Sequence, residues 1–267
     1  MRQPTQQSRP SRFRSTLWSG WRKAEKAFGA SPVGAMLGAS SFGTITSVVT
    51  TEPVAAITFD DGPDERWTPK VLDLLDDYDA KATFFVIGKY VGEHPDLMQR
   101  ASASGHALGN HSHSHPRFPL VSSSARRHEL RSCDTALAPY RQKHKMFRPP
   151  HLVQDLATRY DSWRLGHDVI ACSLHAYDWE DRGSDEMYRT LSEGAKPGDV
   201  IMLHDGAYGQ RDHSREAMLE ALEAFLRRRS DLRFVTVPEL LCAGRPRREI
   251  WIQHPNLARA ASHETVI

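Results

Sequence analysis

From position 54 to position 237 the chain alternates short apolar runs with amphipathic ones, and that order confines it to an α/β architecture. Residues 54–59, 82–87, 146–147, 169–174, 200–203 and 234–237 read as strands. Between the first two, Val71, Leu72, Leu74, Leu75 and Tyr78 share one face of a helix. Pro95 opens the next helix at its first position, and Ser122 caps one expected to run to Arg141. Further helices are expected over 155–164, 184–192 and 215–229. No internal repeat accompanies the alternation. The pattern points to a mainly parallel sheet or barrel, with functional residues expected in loops at the carboxyl ends of strands.

Composition narrows the function classes. The 35 Lys+Arg against 33 Asp+Glu leave a formal charge of +2, which gives no reason to expect nucleic acid as partner. No apolar run approaches the ~18 residues of a membrane-spanning helix. Cys133, Cys172 and Cys242 are too few and too far apart for a disulfide framework or a Cys-x-x-Cys zinc knuckle. The unusual count is 14 histidines, several of them clustered. Residues 1–28 carry Arg2, Arg9, Arg12, Arg14, Arg22, Lys23 and Lys26 against the single acid Glu25, and 29–51 are uncharged but rich in Gly, Ser and Thr. The basic start is too long, and the uncharged stretch after it too polar, for a secretory signal. Together they read as a basic, partly flexible extension over 1–53, with Trp18 and Trp21 offering a peripheral membrane contact. A cleaved transit segment is the competing reading.

Five motifs carry chemistry. Asp60-Asp61-Gly62-Pro63 closes the first strand with adjacent carboxylates, which repel unless a metal ion or an arginine sits beside them. In Gly105–Pro116, His111 and His115 are four apart, so one helical turn would set both imidazoles on one side. Two histidines with a carboxylate form a common open zinc site; His113 points elsewhere in that geometry. Arg148, held by Pro149 and Pro150, can supply the positive charge that the aspartates need. Asp178-Trp179 comes after the 169–174 strand, and His204-Asp205 closes the 200–203 strand, where a histidine is either a core-edge or a catalytic residue. Each motif alone also has an ordinary reading as a turn, a polar loop or a solvated side chain.

Taken in order, the five motifs resemble the polysaccharide deacetylases of carbohydrate esterase family 4, the NodB-homology domain. The matching segments are Ile-Thr-Phe-Asp-Asp-Gly-Pro at 57–63, Ala-Thr-Phe-Phe at 82–85 and Gly-His-x-x-Gly-Asn-His-Ser-x-x-His-Pro at 105–116. The resemblance covers 54–242 and leaves a tail at 243–267. It implies a distorted (β/α)7 barrel as a single catalytic domain. It also implies one divalent metal on Asp61, His111 and His115, usually zinc, with cobalt and nickel equally suited to the donor set. Asp60 is then the general base, and Arg148 orients it. The backbone N–H of His151 helps hold the oxyanion, and His204, tuned by Asp178, is the general acid. Trp179, Met202 and Leu203 border the pocket for the acetyl methyl.

The chain departs from the family pattern at His151-Leu152, where an aromatic and a glycine are usual. It departs again at His175, where the Asp-x-x-Asp-Trp motif begins with aspartate, and at Met202, where leucine is usual. The expected activity is metal-dependent removal of N-acetyl groups from N-acetylglucosamine residues of a glycan or glycoconjugate, with release of acetate. An O-acetyl esterase of xylan type and a catalytically silent carbohydrate-binding module are the alternatives. No other cofactor is expected, since no Gly-rich phosphate loop occurs. The missing signal and unpaired cysteines give a cytoplasmic expectation, peripheral at the membrane.

Overall fold

In a computed structural model the described residues are 23–25, 27–28, 30–140, 144–180, 182–206, 208–209 and 213–250. Seven parallel strands, β2 (Val54–Asp60), β3 (Ala82–Val86), β4 (Ala107–Asn110), β5 (Met146–Phe147), β6 (Asp168–Val169), β7 (Leu174–His175) and β8 (Val200–His204), pair in the order β6-β5-β4-β3-β2-β8-β7. A further strand, β9 (Arg233–Phe234), joins the beginning of β2. Helices α2 (Thr68–Asp77), α3 (Gly88–Glu93), α4 (Pro95–Ala103), α5 (Ser123–Leu137), α6 (Leu156–Arg164), α7 (Ser184–Gly194), α8 (Glu216–Arg228) and α9 (Val237–Cys242) return the chain between strands or come after β9. Ahead of them lie α1 (Pro32–Ala39) and β1 (Thr44–Val49), and β10 (Arg245–Glu249) comes last.

The expected strand over 169–174 is interrupted, for a topological reason. β6 and β7 are the two edges of the sheet, yet only residues 170–173 separate them in sequence, so the sheet must curl until its edges nearly meet. That is the distorted (β/α)7 barrel that the family resemblance implies. β1 lies across the seam, bridging Ile45 to Ile170 on one side and Ser47 to Asp199 on the other. The expected boundaries at 54 and 242 are therefore corrected. Ile45 is fully buried, and β10, inside the expected tail, pairs antiparallel with β1 from Thr44↔Glu249 to Val49↔Arg245.

Side chains of a strand alternate between its faces, and this alternation divides the core. Ala55, Ile57 and Phe59 of β2 and Ile201 and Leu203 of β8 pack outward against helix residues such as Leu72, Leu75, Leu222 and Phe225. Val54 and Ala56 of β2 and Val200 and Met202 of β8 face inward with Phe85, Met146, Ile170 and Cys172. Val237 and Leu240 of α9 belong to the same inner cluster as Ile45 and Val48 of β1. Among the described residues no helix is long and apolar enough to cross a membrane. Trp18, Trp21 and all the basic residues of the extension except Lys23 lie outside the described residues.

Candidate active site

Alternation aims Thr58 and Asp60 into the barrel, the same face as Ala56. There Arg148, fully buried just beyond β5, donates from one guanidinium nitrogen to Thr58 Oγ1 and to Asp60 Oδ1, each at 2.7 Å. Its other nitrogens donate to the carbonyls of Ile170 at 3.3 Å and Ala171 at 2.9 Å, and the guanidinium lies 4.1 Å from the Phe85 ring centroid. A buried guanidinium with its donors engaged has one orientation, and it fixes the carboxylate. Asp60 thus has the arginine that its adjacent acid calls for.

Continuing the strand would send Asp61 outward. A left-handed φ of 73° turns it back instead. Gly206 makes the turn possible, because a Cβ there would come within 2.5 Å of the Asp61 carbonyl oxygen. Asp205, named in its motif but given no role by the sequence, backs the same turn: its Oδ2 accepts from Thr68 Oγ1 at 2.6 Å, and burial pushes its carboxyl up to about 7.

Asp61 Oδ1 lies 3.1 Å from Nε2 of His115 and 3.4 Å from Nε2 of His111. It is buried without an aligned hydrogen bond, and this oxygen and the two Nε2 atoms lie within 4.8 Å of one another. His111 Nδ1 donates to the Arg148 carbonyl at 2.8 Å, which reserves its Nε2 for the shared point. Burial alone would raise the Asp61 carboxyl, but the His115 charge and contacts from both imidazoles hold it well below its ordinary value. The helical turn that a spacing of four allows is not present over 111–115. A loop does the work, with Ser112 at φ 68° and His115 at φ 60° swinging both rings toward Asp61. Asn110 Oδ1 accepts from the Ser112 N–H at 2.8 Å, a contact the motif contained but sequence reasoning did not use.

His151 comes after the Arg-Pro-Pro segment with φ 57°, and its ring centroid is 4.5 Å from that of His115. Burial, then the His115 and Arg117 charges, push its imidazole down to about 2, so the ring is neutral. Tyr208, which the sequence did not single out, lies 4.4 Å from His115, ring to ring.

Across the barrel, Asp178 Oδ1 is 3.0 Å from His204 Nδ1, while its Oδ2 accepts the His204 N–H at 2.8 Å. Arg215 steadies this pair by donating to the Asp178 carbonyl at 2.7 Å and to the Gly206 carbonyl. Burial would depress the His204 imidazole, but the Asp178 charge and hydrogen bond, with Asp61 beyond, raise it above its usual value. Trp179 is partly exposed, its ring 5.5 Å from that of His204. Met202 shares the inward face with His204. Leu203 does not: it is buried in the outer layer, so its expected place at the pocket is corrected.

This arrangement can hold a divalent cation between an oriented carboxylate and a paired histidine. The family model for polysaccharide deacetylase matches residues 47–170. A peptidoglycan-N-acetylglucosamine deacetylase of Bacillus cereus is 34% identical over 192 residues, covering 71% of this chain and 89% of its own. A chitooligosaccharide deacetylase of Rhizobium leguminosarum bv. trifolii is 31% identical, covering 66% and 87%. Among solved structures, the family 4 carbohydrate esterase PdaA of Bacillus subtilis superposes with a TM-score of 0.65 at 28% identity, covering 75% of this chain and 86% of its own.

Proposed function

Since the chain belongs to the polysaccharide deacetylases of carbohydrate esterase family 4, hydrolases of glycan N-acetyl groups, we propose that it acts on N-acetylglucosamine residues with the help of one divalent metal ion. The observation that carries this reading is the convergence of Asp61 Oδ1 with the Nε2 atoms of His111 and His115, next to a carboxylate locked by Arg148. The orphaned buried oxygen fits a cation, and two imidazoles with one carboxylate suit zinc, cobalt or nickel. When bound, such an ion supplies Lewis acidity toward a carbonyl oxygen and toward water.

The chain's own residues do the rest. Asp60 spends Oδ1 on Arg148, and its Oδ2, 3.9 Å from His111 Nε2, is the atom that takes a proton from the attacking water. Arg148 is a positioning residue, holding that carboxylate in one orientation. His204 has Nδ1 committed to Asp178, which leaves Nε2 to protonate the departing amine. The His151 N–H assists the oxyanion, and Trp179 with Met202 borders the acetyl methyl. The raised imidazole of His204 favours the amide over the ester, because an amine leaves only when protonated whereas an alcohol needs less help.

Acetate release from chitooligosaccharides, peptidoglycan and acetylated xylan tests the reading. Release from either N-acetylated glycan, lost on chelation and restored by zinc or cobalt, is expected. Release from xylan alone would make the protein an O-acetyl esterase, and no release from any would make it a binding module.

A further inference from the structure

Residues 111–115 supply two of the three converging donor atoms yet form neither helix nor strand, so their shape is held from outside. The backbone bonds can be traced one by one. Carbonyls of Ser112 and His113 accept from the N–H groups of Gly88 at 2.9 Å and Lys89 at 3.1 Å, at the start of α3. The His111 N–H donates to Val86 at 3.0 Å, that of Ser112 to Asn110 Oδ1, and that of His115 to Ser112 Oγ at 2.9 Å. The two N–H groups between, of His113 and Ser114, both donate to Glu129 Oε2, at 2.9 and 2.7 Å. Ser114 Oγ donates to the other oxygen, Oε1, at 2.7 Å. Consecutive N–H groups beside a left-handed residue, here Ser112, form a cradle for an anion. In this chain the anion is a side chain of α5.

We propose that Glu129 is a positioning residue for the metal loop: its carboxylate fixes the backbone at His113 and Ser114 and thereby the relative placement of the His111 and His115 imidazoles. This rests on the reading of Asp61, His111 and His115 as metal ligands. Glu129 is half-buried and donates no ligand atom to the shared point. Its helix is anchored separately, by Leu130, Cys133 and Leu137, so α5 does not depend on it. A purely structural carboxylate would lower stability and leave the metal affinity of the folded protein unchanged. A positioning carboxylate changes the affinity itself.

The test measures zinc affinity by competition with a chromophoric chelator, and the visible spectrum of the cobalt-loaded protein, on the full chain. Wild type is compared with Glu129→Ala, Glu129→Gln, Ser114→Ala and Asp61→Asn. Glu129→Ala is expected to weaken zinc by about 10–100-fold, the usual effect of losing an outer partner of a ligand set, and to shift the cobalt bands. Glu129→Gln is expected to recover most of the affinity, since its amide oxygen can accept both N–H groups while its nitrogen donates to Ser114 Oγ. Should Glu129→Ala not fold, Ser114→Ala reads the same coupling through the loss of one bond, with a smaller drop. Unchanged affinity in the folded Glu129→Ala, or in Ser114→Ala where it stands in, overturns the proposal. If wild type takes up no zinc, or Asp61→Asn binds it as well as wild type does, the metal reading itself fails.

Discussion

At the scale of single residues, the adjacent aspartates differ in what surrounds them. Asp60 is paired with a buried guanidinium and Asp61 with two imidazoles, so conservative changes should separate them. Asp61→Asn is expected to lose most metal affinity. Asp60→Asn is expected to keep near-stoichiometric metal while turnover falls about 10²–10⁴-fold, the scale of a lost general base. Metal analysis beside steady-state kinetics decides the matter, and the opposite pattern would exchange the two roles. A second expectation concerns pH. Burial would lower the His204 imidazole, but the Asp178 charge and hydrogen bond together with the Asp61 charge outweigh burial and raise it, and the protonated ring is the acid. Rate therefore falls as pH rises through that raised value. Asp178→Asn removes the charge, so the alkaline limb of kcat should move to lower pH; a limb that stays where it was would free Asp178 of this part. Leu203 could have been excluded from the pocket by sequence alone, since strand alternation puts it opposite His204.

At the scale of elements, strands buried on both faces are the most legible. The sequence reading of β2 and β8 stops one residue short at each carboxyl end, since a strand covered on both sides is a continuous apolar run. Periodicity could not reveal that 169–174 crosses a seam, because the run is apolar whichever neighbour it meets. Nor could a spacing of four distinguish a helical turn from a loop with two left-handed residues. β1 and β10 escape the sequence reading for different reasons. β1 is rich in Thr and Ser and reads as linker, while β10, Arg-Pro-Arg-Arg-Glu, carries the charge and proline of an exposed edge. Their importance is measurable. Ile45→Ala empties a fully buried position and should cost about 2–5 kcal/mol, seen as a lower urea midpoint with unchanged slope. A dispensable extension would give almost no change.

At the scale of the whole molecule, the donor atoms come from the turn just after β2 and from the loop after β4, so a bound ion ties together segments distant in sequence. Any ligand that prefers the folded state stabilises it by mass action, by about 2.7 kcal/mol when free metal is 100 times its dissociation constant. For a chain of this size that is roughly a 5–10 °C rise in unfolding midpoint. Scanning calorimetry with zinc and then with excess chelator should show this rise and its reversal, and an Asp61→Asn protein should show neither.

The ladder between β1 and β10 has a mechanical consequence. It sets Thr44 directly opposite Glu249, so the first residue of one strand and the last of the other are neighbours. A pull applied through those two points loads the bonds one pair at a time, as a zip opens, and never all together in shear. The first pair to part frees the segment that carries Ile45, whose backbone bridges Ile170 at the barrel seam and whose side chain is fully buried. Tension between those two points would therefore reach the core through the weakest direction of this ladder.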